Sequence, residues 1–213
     1  MKTKTITLFT LFFIIHSVWA IDDKYTEAMK KNIQAVYTAQ TIPDIQLAVN
    51  AFERIGAAEK SKWEPHYYAS FGYIMIANRE ADGAKKDAAL DQAQAALKKA
   101  QEIVPAESEV VALQGFIHMI RVTVDPASRG QQYSVLAYQS LNKAVAINPE
   151  NPRALTLLGQ MQFGTAQFFG SPTTEACATV TKALEKFAVT SEPKPLAPEW
   201  GKGMAEGLKG KCQ

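Results

Sequence analysis

The sequence is poor in the residues that build catalytic and metal sites. It has 2 cysteines and 3 histidines among 213 residues, and no two histidines have the H-E-x-x-H spacing of a zinc site. A phosphate-cradling glycine loop and a serine-centred nucleophile elbow are also missing from it. We therefore expect no catalytic residues, no metal and no cofactor, and we expect that the protein is not an enzyme.

Neither sign of charge dominates the chain. It has 23 basic and 21 acidic residues, and without Lys2 and Lys4 at its start the two signs balance. Duplex nucleic acid is bound through several Lys and Arg contacts to phosphate. A balanced chain gives no electrostatic reason to expect a nucleic-acid partner.

Long apolar runs are missing after the first twenty residues. Residues 6–18 form an apolar run that follows Lys2 and Lys4 and precedes the small-residue cleavage pattern ending at Ala20. This run is too short for the roughly 20 residues that span a membrane as a helix. We predict a signal peptide over residues 1–20, cleavage after Ala20, a periplasmic or secreted protein without a membrane span, and one domain over residues 21–213.

Landmark residues recur with a spacing of 43 or 44 residues, which is typical of stacked repeats. They are the glycines Gly72, Gly115 and Gly159, the alanines Ala100 and Ala144, and the prolines Pro105 and Pro149. Between the landmarks, apolar residues follow three- and four-residue steps, as from Leu90 to Ala93 and Leu97. The sequence therefore predicts an all-α protein of stacked helix pairs.

The pattern predicts four helix pairs and a terminal helix. We place the pairs at about residues 23–60, 64–105, 108–149 and 152–188, and the last helix at about 198–210. In that last helix Trp200, Met204 and Leu208 are spaced by four, so we expect them to cover the final pair as a cap.

Residues 64–187 resemble the tetratricopeptide repeat, with its order of aromatic, Gly, Ala, large apolar, Ala and Pro. The residues that carry the resemblance are Tyr68, Phe71, Gly72, Ala93, Leu97, Ala100 and Pro105, then Val111, Gly115, Ala137, Leu141, Ala144 and Pro149, then Leu155, Leu158, Gly159, Ala176, Val180 and Ala183. The chain is also similar to small exported bacterial proteins of this repeat type. The resemblance implies a right-handed stack. Since the family unit has 34 residues, we expect the excess in long loops inside the pairs, at 79–86, 123–132 and 165–172.

The resemblance implies a binding protein, because stacked helix pairs create an extended concave surface. In this family the first helix of each pair lines that surface, which implies a peptide or protein partner and a scaffold or adaptor role. The positions that match the family's concave face are His66, Tyr73, Ile76, Glu109, Phe116, Met119, Arg153, Gln160 and Phe163.

Two alternatives remain open for this surface. A cavity enclosed by Phe116, Met119 and Phe163 would favour a periplasmic carrier of a small apolar ligand, whereas an open groove would favour a peptide. Tyr73, Phe116 and Phe163 are equally consistent with ordinary packing between neighbouring pairs. Phe168 is expected with its neighbour Phe169 in a loop, where one ring packs inward and the other is available for contact.

Cys177 and Cys212 are expected to form a disulfide, because disulfides persist in exported proteins. Two prolines in residues 191–195 should fold the tail back antiparallel to the preceding helix, with arms of similar length on either side of the turn. Two free thiols are the alternative.

Overall fold

The computed structural model describes residues 7–189 and 195–212, with side chains from Asp23 onward. These residues form nine helices and no strand. The helices are α1 Thr7–Thr38, α2 Ile42–Ala58, α3 Glu64–Arg79, α4 Gly83–Ile103, α5 Ser108–Val124, α6 Pro126–Ile147, α7 Pro152–Phe169, α8 Thr174–Ala188 and α9 Lys202–Lys209. The predicted signal peptide falls on residues outside the described set and on the first part of α1, where only the backbone is described.

Consecutive helices pack as pairs, and the pairs stack in chain order. The first helices of neighbouring pairs also contact one another, α1 with α3, α3 with α5 and α5 with α7. This confirms the prediction of an all-α helical repeat stack. Along the described part of the chain, no helix is long and apolar enough to cross a membrane.

Two of the three repeated glycines allow the two helices of a pair to approach closely, whereas Gly72 on α3 lies against Val49 on α2, a helix of the preceding pair. A Cβ atom added at Gly115 on α5 would lie 2.6 Å from the side chain of Leu141 on α6. At Gly159 on α7 the same atom would lie 2.6 Å from the side chain of Val180 on α8. Because the same contact recurs in successive pairs, the glycine spacing in the sequence reports helix packing.

The prediction of long inner loops is wrong. The connections inside the pairs are residues 80–82, residue 125 and residues 170–173. Asp82 and Asp125 cap the following helices, since their carboxylates accept hydrogen bonds from the backbone N–H groups of Lys85 at 2.9 Å and Ser128 at 3.2 Å. The extra residues of each unit therefore lengthen α4 and α6 to 21 and 22 residues.

The C-terminal tail differs from the expected single helix over residues 198–210. Residues 195–201 are not helical, and α9 begins only at Lys202, directly after Gly201 with a φ of 106°. The predicted disulfide between Cys177 and Cys212 is present, with Cα atoms 5.7 Å apart. Closing this 35-residue separation contributes roughly 4 kcal/mol in the chain-entropy model. The predicted turn at 191–195 lies, up to residue 194, outside the described residues.

Two glycine-to-alanine changes test the packing role of the repeated glycines. We expect Gly115→Ala to lower the free energy of unfolding by about 1–3 kcal/mol, because its methyl group would collide with buried Leu141. Gly164→Ala on α7 is the matched control, since an added Cβ meets nothing within 4 Å there. It should raise stability by up to about 1 kcal/mol through helix propensity. Urea unfolding of both variants measures the two changes in the free energy of unfolding. Equal changes would contradict the packing role of Gly115.

Candidate functional site

Trp200 lies against the first helices of the pairs rather than over the end of the stack. Its indole is 8% exposed and stacks between Phe71 of α3 and Phe116 of α5. The ring centroids are 5.3 and 5.8 Å from the indole, with interplanar angles of 20° and 26°. The prediction that Trp200 caps the final pair is therefore wrong, whereas α9 does pack on α7 and α8, where Leu208 clusters with Phe163. We call the side of α1, α3, α5 and α7 that residues 196–201 contact the inner face.

Three tyrosine hydroxyls of the inner face bind the tail segment by hydrogen bonds. The Tyr68 hydroxyl donates to the carbonyl of Leu196 at 3.0 Å, the Glu199 N–H donates to the Tyr37 hydroxyl at 3.1 Å, and the Trp200 indole N–H donates to the Tyr67 hydroxyl at 3.0 Å. Two of these bonds are made to the backbone, so they fix the position of the segment independently of its side chains.

A buried ion pair lies beside the indole. The Nε of Arg153 on α7 donates to both carboxylate oxygens of Glu109 on α5, at 2.9 and 2.8 Å, and Nη2 of the arginine lies 2.8 Å from Oε1. Burial alone would lower the pKa of Arg153, but the hydrogen bonds and charge of Glu109 raise it, so the arginine stays charged. The pair links the third and fourth helix pairs through one charge-assisted, two-pronged contact.

Tyr67 connects Trp200 to this ion pair. Burial, followed by the negative charge of Glu109, raises the pKa of the Tyr67 hydroxyl well above its ordinary value. The hydroxyl is therefore neutral at physiological pH. It accepts from the indole and donates to a Glu109 carboxylate oxygen at 3.4 Å.

The residue after Trp200 lies in a backbone conformation that strongly favours glycine. Gly201 has a φ of 106°, a conformation that residues with a Cβ rarely adopt. A Cβ there would also lie 3.0 Å from Cγ of Arg153 and 3.2 Å from Cζ of Phe187. The segment thus passes close to α7 and α8 just before α9 begins.

The structure brings three of the nine predicted binding residues together on the inner face. They are Glu109, Phe116 and Arg153, and all three surround Trp200 or its hydrogen-bond partner. The aromatic residues that complete this site were not among the predicted binding residues: Tyr37, Tyr67, Tyr68, Phe71 and Trp200. Tyr68 and Phe71 had been assigned to repeat packing, which they also perform.

The other predicted binding residues lie elsewhere. Ile76 and Met119 are buried in the main core, and Gln160 is exposed. The buried Tyr73 points to α2, where its hydroxyl donates to Glu53 at 3.0 Å. Phe163 packs in a separate cluster with α8 and α9. Tyr73 and Phe163 therefore fit the packing alternative left open by the sequence.

His66 is half-buried and lines a small cavity on the α2, α3 and α4 side. The cavity has a volume of about 110 Å³ and is also lined by Glu53, Gln92 and Lys99. Burial and the charge of Lys99 lower the pKa of His66. In the part of the chain that the structure describes, no group of three or more His, Cys, Asp or Glu side chains could hold a metal ion.

A second candidate site is an exposed pair of aromatic rings at the end of α7. Phe168 is 83% exposed and Phe169 is 71% exposed, so the expectation that one of them packs inward is wrong. Their rings are perpendicular with centroids 5.0 Å apart. Gly170 ends the helix in the left-handed conformation, with a φ of 65°. The other aromatic side chains that the structure describes are buried or half-buried. We call Phe168 and Phe169 the aromatic tip.

The fold places the chain in the class of tetratricopeptide-like helical repeats. A thermophilic tetratricopeptide-repeat protein from Thermus thermophilus superposes with a TM-score of 0.55 at 18% identity, over 81% of this chain and 88% of that one. At this identity the likeness shows the fold alone.

A more similar structure is the HusA haemophore from Porphyromonas gingivalis. It superposes with a TM-score of 0.79 at 28% identity, over 89% of this chain and 92% of that one. No protein-family model and no curated protein matches the sequence.

Two alanine changes on α7 test which of its predicted binding residues pack in the core. Phe163→Ala should lower the free energy of unfolding by about 3–5 kcal/mol, because the ring is buried against α8 and α9. Gln160→Ala on the same helix should change it by less than about 0.5 kcal/mol, since this side chain is exposed. Thermal and urea unfolding measure both. A Phe163 variant as stable as the Gln160 variant would show that the ring does not pack as described.

Proposed function

We propose that the protein is an exported carrier of a flat, largely apolar ligand of the haem type, held against the aromatic tip. Its leader pattern and its disulfide support export. The likeness to a haemophore along most of both chains supports the ligand class.

The observation that carries this proposal is the exposure of Phe168 and Phe169. Two large apolar rings in contact with water are unfavourable in the free protein, and contiguous exposed apolar surface marks interaction sites. A tetrapyrrole offers a broad flat face that can stack on one of these two perpendicular rings and meet the edge of the other. The inner face offers less free area, because Trp200 already stacks on its rings.

The proposed contact uses ring stacking rather than metal coordination. His66 lines the cavity beside α2 and α4, and His118 contacts Gln114 and stacks on Tyr133. Neither imidazole belongs to the aromatic tip. We therefore expect metal-free porphyrin and the iron form to bind with similar affinity.

Titration of the mature protein with haemin and with metal-free protoporphyrin, followed by absorbance and fluorescence, tests this proposal. The double change Phe168→Ala/Phe169→Ala should weaken binding of both ligands by about tenfold or more, since one stacked and one edge-on ring contact are together worth roughly 1–3 kcal/mol. Leu47→Ala is the control, because Leu47 on α2 is 69% exposed and lies outside the tip. Unchanged affinity in the double variant would show that the ligand does not bind at the aromatic tip. If the wild type shows no saturable binding, the proposed carrier function is wrong.

A second candidate function is the binding of a peptide or protein partner on the inner face. It is supported by the way this face holds residues 196–200, through tyrosine hydrogen bonds to backbone and an aromatic slot for one side chain. Such contacts are those by which grooves recognise extended peptides.

Selection from a peptide library displayed on phage tests this second function. The mature Trp200→Ala protein, which leaves the slot between Phe71 and Phe116 vacant, should enrich peptides carrying an aromatic residue. The wild-type protein, whose slot is filled, should enrich them far less. Recovery of the same sequences by both proteins, or of none by either, would contradict a peptide-binding inner face.

A further inference from the structure

Residues 196–201 make every kind of contact that a bound peptide would make on the inner face. A backbone carbonyl accepts from Tyr68 and a backbone N–H donates to Tyr37. One aromatic side chain enters the slot between Phe71 and Phe116, and its N–H reaches Tyr67. The contacts come from α1, α3 and α5, so the segment spans three successive helix pairs.

These contacts define the chemistry of the ligand that the inner face recognises. The slot holds a flat ring that lies within 20° and 26° of parallel to Phe71 and Phe116, and the Tyr67 hydroxyl at its edge accepts a hydrogen bond, which favours indole over phenyl. Because Arg153 is already paired with Glu109, neither charge is available to a ligand. The groove therefore suits an uncharged aromatic side chain on a non-helical backbone.

The position after the tryptophan favours glycine. Gly201 has a positive φ, and a Cβ would approach Arg153 and Phe187 closely. A ligand peptide bound in the same register should therefore also have glycine after its tryptophan, because a side chain there would come too close to α7.

We propose that the inner face is a peptide groove for a non-helical segment containing Trp followed by Gly, and that residues 196–201 are its resident, autoinhibitory occupant. This inference rests on the second candidate function. The tail is tied to α8 by the disulfide between Cys177 and Cys212, so the occupant has a high effective concentration. An external segment binds strongly only when the resident segment is weakened or released.

The test uses the full mature chain and a fluorescein-labelled synthetic peptide with the sequence of residues 195–203, followed by fluorescence anisotropy. Trp200→Ala weakens the resident segment and leaves the receiving residues unchanged. We expect it to bind the peptide at least about tenfold more tightly than the oxidised wild type. Peptides with Ala in place of the Trp or of the following Gly are the matched controls, and each should bind at least about tenfold more weakly.

A second variant keeps the proposal testable if Trp200→Ala does not fold. Cys177→Ser/Cys212→Ser retains every residue of the inner face and removes the covalent tie of the tail. It should also bind the peptide more tightly than the oxidised wild type. Adding Phe116→Ala to either variant should abolish the increase in peptide affinity, since one of the two rings that stack on the tryptophan is then missing.

Three results would overturn the inference. A folded Trp200→Ala protein that binds the peptide no better than the wild type would show that the resident segment is only structural. Equal binding of the Trp and Ala peptides would show that the slot is not the site. Peptide-dependent dimers, detected by light scattering, would show exchange of tails between copies instead.

Phage selection that enriches other sequences, while this peptide fails, would leave the second function standing and remove only the proposed register.

Discussion

The stacking of Trp200 between Phe71 and Phe116 is the contact on which the arrangement of the inner face depends. It joins the tail to α3 and α5, the first helices of two successive pairs, and it buries an indole that would otherwise face water. A buried aromatic of this size contributes several kcal/mol, comparable to the net stability of many domains. Since repeat stacks contact only their neighbours, a tail that crosses several pairs couples units that are otherwise independent.

The polar groups around the indole give this apolar contact a single geometry. Tyr67 accepts from the indole and donates to Glu109, whose carboxylate is bound by Arg153. A buried ion pair adds little net stability by itself, because desolvation offsets the Coulomb attraction, but loss of one partner is costly. The network therefore fixes where the tail lies more than it strengthens the fold. Because Arg153 and Glu109 are paired with each other, neither charge is available to a partner that binds the concave surface.

Much of the fold was predictable because it is encoded locally. Three- and four-residue apolar steps and the recurrence of Gly115 and Gly159 led to the helix pairs, and two cysteines in a chain expected to be exported led to the disulfide. The lengths of α4 and α6 were not predictable from apolar periodicity, since their first turns are polar and depend on the caps at Asp82 and Asp125. The candidate site was predicted only in part. The Tyr68 bond to Leu196 joins residues 128 apart in the chain, and no local pattern reports such a contact.

Two surfaces with opposite properties result from this fold. The inner face is rich in aromatic residues but filled by the chain's own tail, whereas the aromatic tip is small and open to solvent. The central claim is that residues 196–200 fill the inner face in solution, and nuclear Overhauser effects in the isotopically labelled protein without residues 1–20 test it most directly. The account predicts effects between the Trp200 indole protons and the ring protons of both Phe71 and Phe116, with slow exchange of the indole N–H. An indole N–H that exchanges rapidly and shows no effect to either ring would contradict it.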